Sequence, residues 1–364
     1  MLATAIFPGR YVQGDNALSA LGEEAARQGH RALIIADSWV HLHLMPEISE
    51  GLSDYMPWLV ETFSGECSDE EIDRLVIQAE DADCDVIIGI GGGKTLDTAK
   101  VVAFMHGCRL VVVPTLASND SPCSSLSIIY YKDGRFKRYL QLPRNPDAVI
   151  VDTGVIARAP LRSLVAGMGD ALATLYETED CRQSGKSNQA GRRPPLIATA
   201  IAKLCHETLM EWGELAVDAA KIQVVTPALE HIVETNILLS GLGYESGGLA
   251  AAHAIGNGLT ALPQTRQSMH GEKVAFGVQA MMFLTGRSRD EIDRVYSFCH
   301  RIKLPMTLES LGLADPSTTE LQMIAEAACS KGESMDHEPF AVSVKQVIDA
   351  LKMADSEGRK WLKK

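Results

Sequence analysis

The chain has 364 residues, enough for two domains of ordinary size or one large one. Hydrophobic residues make up 46% and charged residues 22%, so a sizeable core can be buried and a mostly disordered chain is excluded. The 34 basic residues are outnumbered by 47 acidic ones, a formal charge of −13, the opposite of what a nucleic-acid-gripping domain shows.

No apolar run approaches the roughly 18–20 residues of a membrane-spanning helix. Met1 to Pro8 lacks a basic start and is too short for a signal peptide's apolar core, so a cytoplasmic location is expected. The eight cysteines are scattered, without a C-x-x-C pair. That argues against a cysteine-bound zinc and against a disulfide framework; most should be small buried residues.

In chain order, Asn16–Gly29 has a helical period, and Arg31–Ala36 is a short apolar run that ends at Asp37. His41 and His43 alternate in a loop-like surface stretch. Ser68 and Glu71 are spaced as a capping box that opens a helix. Asp85–Ile90 runs into glycines, Thr95–His106 is helical, and Leu110–Val113 stops at Pro114. Leu126–Tyr131 and Phe136–Leu140 flank an Asp-Gly turn and predict a hairpin. Ala148–Val151 ends at Asp152. Short Val- and Ile-rich runs suit strands buried on both faces, and their alternation with helices predicts a doubly wound parallel sheet over residues 1–160. After Pro160 the pattern is helical throughout: Leu161–Asp180, Pro194–Gly213, Ala228–Leu242, Gly248–Leu259, Gly271–Phe283, Arg289–Ile302, Thr319–Cys329 and Ser343–Leu362. An all-helical second domain over 161–364 follows, with Arg182–Pro195 as a loop.

Gly89 to Asp97 (GIGGGKTLD) runs from strand to helix. Glycines let the backbone approach a ligand, and the helix start offers free N–H groups, so the segment reads as a phosphate cradle. A P-loop would need glycine where Ile88 stands, and the G-x-G-x-x-G dinucleotide spacing meets Lys94 instead of its last glycine. Asp37, just after a strand, has the position of a ribose-binding acid, although it precedes the glycines rather than following them. Its charge, with no Lys or Arg in the next four residues, favours NAD over NADP.

Ten histidines are present, and two have company that suggests chemistry. His253 lies in a stretch of very small residues, Gly247–Gly258, and His270 begins a helix. Asp170, flanked by glycine in an apolar segment, is the third candidate. One Asp and two imidazoles suit zinc or iron and leave room for a substrate. Spacing alone does not show that the three meet.

Together these segments resemble the zinc-dependent glycerol dehydrogenase family of the iron-containing alcohol dehydrogenase superfamily. The resemblance runs nearly end to end. It covers Pro8–Tyr11, Gly65–Ser68, Gly89–Lys100, Pro114–Ser127, Gly167–Thr174, Val225–Glu230, Ser240–His253 and His270–Gly277. It implies an α/β domain for NAD, a helical metal domain in a dehydroquinate synthase-like architecture, and a reaction in the cleft between them. Carried over by motif, Asp170, His253 and His270 are the metal ligands and part of the substrate site. Asp37, Gly93, Lys94, Thr95, Asp97, Thr115, Ser118, Ser124, Leu126 and Tyr130 are the cofactor contacts. Asp120 is the catalytic and substrate-binding acid, with glycerol or dihydroxyacetone as substrate. A homo-octamer is implied, with no membrane or nucleic-acid partner.

Two positions refine this. Iron-type relatives carry a histidine four residues after the ligand Asp; here it is Thr174, which favours zinc. Glycerol dehydrogenases often have a second histidine in the metal helix where this chain has Gly256. Alternatives are a dehydrogenase of another small diol, a hydroxy acid or glycerol phosphate, and a dehydroquinate synthase-like lyase. The metal segments hold only Lys273 as a cation for a phosphorylated substrate, which weighs against the lyase.

Overall fold

The computed structural model describes residues 2–364. Eight strands form: β1 (Tyr11–Gly14), β2 (Ala32–Ala36), β3 (Trp58–Thr62), β4 (Val86–Gly91), β5 (Arg109–Pro114), β6 (Leu126–Tyr130), β7 (Phe136–Gln141) and β8 (Ala148–Asp152). Six make one sheet in the order β1-β8-β5-β4-β2-β3, every pair parallel. β6 and β7 form the antiparallel hairpin. After Asp152 every regular element among the described residues is helical.

The sheet faces explain the strand sequences. Leu33, Ile35, Ile87, Val112 and Val149 join one core, while Ala32, Ile34, Ile88, Val111 and Ile150 join the other. Alternate residues therefore enter opposite cores, which is why these runs are apolar without a break. The first core continues through the helical half to Met281 and Tyr296. The edge strands β1 and β3 are only half buried. They lack a continuous apolar run, and the sequence gives no strand signal there.

Other differences are local. The segment with His41 and His43 is a helix, Ser38–His43, rather than a loop, with both imidazoles on the surface as expected. Asp37 caps it, accepting the Val40 N–H at 2.9 Å. Ser68 caps the helix Asp69–Asp81, but the return half of the capping box is missing. Glu71 instead accepts the Ser64 N–H and pairs with Arg74. The helix expected over 161–180 breaks at Leu172 into Leu161–Ala171 and Ala173–Ser184. All eight cysteines are free, six of them buried. No helix among the described residues is long and apolar enough to cross a membrane.

Candidate active site

The sheet's topology prepares the first half of the site. From β2 the chain goes outward to β3, then returns to the other side as β4. The order reverses between β2 and β4, and in open parallel sheets ligands bind in the crevice outside the C-terminal strand ends at such a point. Asp37 follows β2 and the glycine loop follows β4. A Cβ on Gly91 would lie 2.8 Å from Asp37 Oδ2 and 2.9 Å from Thr95 Oγ1. The structure thus brings together the acid and the glycines that chain order separates.

Gly92 and Gly93 differ from Gly91. A Cβ on either would meet nothing closer than 3.5 Å. The fold itself does not require glycine there, so the open face is a cradle that side chains would fill. Behind it the helix Gly93–His106 starts at Gly92 without a side-chain cap. Its first N–H groups and positive dipole end suit a pyrophosphate.

The other expected cofactor contacts divide into two groups. Thr115 donates its backbone N–H to the Gly91 carbonyl at 3.0 Å, which joins that loop to the glycines. Ser118, Leu126 and Tyr130 are half buried. Lys94 reaches Glu66 Oε2 at 2.7 Å and lies over the Tyr130 ring. Asp97 and Ser124, by contrast, are buried and committed to the chain. Asp97 accepts the Ile128 N–H and Lys100 Nζ, and Ser124 donates to the Ser121 carbonyl. Lys100, with its side chain fully buried, also donates to the carbonyls of Ser121 and Leu126. These groups hold the Thr115–Leu126 loop in place.

That loop carries Asp120 to the helical half. Gly167 permits the approach: a Cβ there would lie 2.0 Å from the Ala117 carbonyl oxygen. Asn236 ties both sides, donating to the carbonyls of Ala117 and Leu164 at 3.0 Å each. It lies in the π-turn Thr235–Leu239, a widened turn of a kind frequent at functional sites. Ser240, next along, donates to Asp120 Oδ2 at 2.9 Å, and Thr174 Oγ1 lies 3.1 Å from Ser240 Oγ. Glu245 of the same helical run accepts the N–H and Oγ–H of Ser125.

The second half of the site is the cluster of Asp170, His253 and His270, whose ligand atoms lie within 4.8 Å of one another. Each comes from a different helix: Leu161–Ala171, Ala251–Leu259 and His270–Leu284. Asp170 is 1% exposed, yet neither of its side-chain oxygens has a hydrogen-bond partner among the described residues. His253 Nε2 and His270 Nε2 each stand 3.4 Å from Asp170 Oδ1. His253 Nδ1 is held by Glu177 Oε2 at 2.6 Å.

Leaving buried carboxylate oxygens unpaired is costly, and a divalent cation removes that cost. The donor set of one carboxylate and two imidazoles fits such an ion. His270, with 42% of its side chain exposed, marks the open side.

The electrostatics agree. Burial raises Asp170, but His270 and His253 outweigh it and hold the carboxyl well below the ordinary range. Burial lowers His253, but Glu177 and Asp170 outweigh it and the imidazole ends well above its ordinary value. Burial and then the charge of Asp170 push Asp120 well above the ordinary carboxylate range. All three shifts come from carboxylates and imidazoles packed into one buried cluster.

Sequence reasoning missed Glu177, Ser240 and Lys100. A signal existed for Glu177: with Asp170 and Thr174 it falls at helical spacing on one face.

The model of the iron-containing alcohol dehydrogenase family matches residues 8–153. The chain is 54% identical to a glycerol dehydrogenase of Thermotoga maritima, across 99% of this chain and 98% of that one. It is 46% identical to a glycerol dehydrogenase of Escherichia coli, across 98% and 97%. The crystal structure of the Schizosaccharomyces pombe glycerol dehydrogenase superposes with a TM-score of 0.95 at 38% identity, covering 100% of this chain and 92% of that one. The chain belongs to the iron-containing alcohol dehydrogenase family, among its glycerol dehydrogenases.

Proposed function

We propose that this chain is an NAD-dependent oxidoreductase that converts glycerol to dihydroxyacetone and back, with zinc as its metal. NAD and a divalent metal are typical of the family; zinc, the site residues and the division near residue 160 are our assignments. The observation that carries the reading is Asp170, a buried carboxylate whose oxygens accept no hydrogen bond among the described residues and whose Oδ1 lies 3.4 Å from two imidazole nitrogens. Thr174 supports zinc over iron, because it turns to Ser240 and adds no further imidazole to the cluster. A cytoplasmic homo-oligomer, an octamer by resemblance, belongs to the same proposal.

When bound, the zinc ion supplies Lewis acidity toward an alcohol oxygen, and NAD supplies the hydride acceptor. Asp170, His253 and His270 would hold the metal. Asp120 lies at the junction of the two halves, its carboxylate oriented by Ser240. It would bind the hydroxyl next to the reacting carbon, which favours vicinal diols over simple alcohols. Asp37 would bind the adenosine ribose, and Gly92, Gly93 and the following helix start would take the pyrophosphate. Asp97, Lys100 and Ser124 shape the loop around them. The buried polar contacts of Asn236 and Glu245 keep the two halves in register.

A phosphorylated substrate fits poorly. Lys273, the one Lys or Arg in the metal segments Gly247–Gly258 and Gly271–Gly277, is buried within the helix His270–Leu284.

The test is NADH formation followed at 340 nm with glycerol, before and after chelation and after zinc is returned. Activity lost to the chelator and restored by zinc is expected. No NADH from glycerol, 1,2-propanediol or 2,3-butanediol in zinc-loaded protein would overturn the substrate class. Activity indifferent to chelation would overturn the metal.

A further inference from the structure

Glu177 is fully buried on the helix Ala173–Ser184, two helical turns beyond Asp170. One of its oxygens, Oε2, accepts a hydrogen bond from His253 Nδ1 at 2.6 Å. The other, Oε1, accepts the backbone N–H of His253 at 2.8 Å and of Ala250 at 2.9 Å. A single carboxylate therefore grips both the ring of a metal-binding histidine and the backbone that carries it.

The helix Ala251–Leu259 needs this grip. Its N-cap is Ala250, which has no side chain to offer. Two carboxylates from elsewhere replace it: Glu177, and Glu338, whose Oε1 accepts the Ala251 N–H at 2.9 Å. Only Glu177 also touches the imidazole. A carboxylate on Nδ1 keeps the proton on that nitrogen and directs the Nε2 lone pair toward Asp170 and His270.

We propose that Glu177 is a positioning residue for the metal: it fixes the tautomer and ring orientation of His253, so metal affinity depends on it. The inference rests on the metal reading above. Glu177 cannot be replaced by its amide without conflict. An amide has one acceptor oxygen where three donors converge, and its NH2 would face an N–H donor.

The experiment is zinc affinity of the metal-free chain, by chelator competition, for wild type, Glu177→Gln, Glu177→Asp and Glu338→Gln. Zinc affinity in Glu177→Gln should fall roughly ten- to hundredfold. Glu177→Asp keeps the charge with a shorter reach and should lie between. Glu338→Gln retains an acceptor for the Ala251 N–H and should stay within about threefold of wild type, which separates ring positioning from helix capping. The visible absorption of the cobalt-loaded Glu177→Gln chain should differ from wild type, while NADH binding by fluorescence stays unchanged. Equal zinc affinity in wild type and Glu177→Gln would overturn the inference. If Glu177→Gln does not fold, equal affinity in Glu177→Asp would do so. A wild-type chain that binds no zinc would instead sink the metal reading itself.

Discussion

A Cβ on Gly271 would lie 1.8 Å from the carbonyl oxygen of Ala166, so the backbones of the Asp170 and His270 helices touch. Gly169 faces the same crossing, with the Gly271 carbonyl oxygen 2.4 Å from where its Cβ would be. Each glycine is the neighbour of a candidate ligand. Close backbone contact, rather than long side chains, brings the carboxylate to the imidazole.

It follows that Gly271→Ala must push the His270 helix away from Asp170. Overpacking of this kind costs about 1–3 kcal/mol, and this contact belongs at the upper end. A lower melting temperature and a reduced zinc content are both expected. Normal zinc content with normal stability would show that the crossing is looser than described.

Gly91, Gly92 and Gly93 should respond differently to alanine. Gly91→Ala meets Asp37 and Thr95 and should destabilise the fold. Gly93→Ala meets only ordinary contacts and should leave stability within about 0.5 kcal/mol. Its added methyl enters the cradle, so NADH affinity should fall roughly tenfold. Thermal melts and NADH fluorescence titration measure the two effects separately. If NADH binds Gly93→Ala as tightly as wild type, the cofactor does not approach that backbone.

Asp120→Ala removes the acceptor that we propose for the substrate's second hydroxyl. An ordinary hydrogen bond contributes about 0.5–1.5 kcal/mol, so KM for glycerol should rise roughly two- to tenfold. Small carbonyls without a neighbouring hydroxyl should be reduced with little change. Unchanged glycerol kinetics would remove Asp120 from the substrate site.

Much of this was legible in the sequence, for a physical reason. The four strands buried on both faces show as unbroken Val/Ile runs, and the helical half shows its period. β1 and β3 were not legible because an edge strand need not be apolar on either face. The three candidate ligands could be nominated one by one, since small neighbours and odd placement marked them. Their meeting depends on helix crossings that only the fold shows. Glu245 and Lys100 look like ordinary helix-surface residues in the chain, and only burial reveals what they hold; Glu177 shares a helical face with Asp170 in the sequence, but its hold on His253 shows only in the fold.

His206 gives the clearest pH dependence. Burial, and then Arg294, push its imidazole down to about 4 from an ordinary 6.5. Its Nδ1 has no partner among the described residues, and its ring stands edge-on to Tyr176. The folded-state pKa is depressed, so the neutral form is favoured in the fold. That contribution is complete above about 6.5 and is lost as pH falls through about 4. His206→Phe keeps a ring against Tyr176 and cannot titrate. The stability lost between pH 7 and pH 4.5 should therefore be smaller in this variant, by about 2 kcal/mol. Denaturant midpoints at the two pH values test this, and equal losses in variant and wild type would exclude His206 as the source.

Asp37 has two tasks that one substitution can separate. Its Oδ1 caps the helix Ser38–His43, while its Oδ2 faces the glycine loop. Serine caps a helix nearly as well as aspartate, so Asp37→Ser should keep stability within about 1 kcal/mol. Serine lacks the charge that repels a 2′-phosphate. The wild-type chain should therefore favour NAD over NADP by at least about tenfold in kcat/KM, the equivalent of roughly 1.4 kcal/mol. In Asp37→Ser the preference should narrow, mainly through a lower KM for NADP. A strong NAD preference that survives in a well-folded Asp37→Ser chain would place the ribose elsewhere, and the crevice between β2 and β4 would lose its assigned occupant.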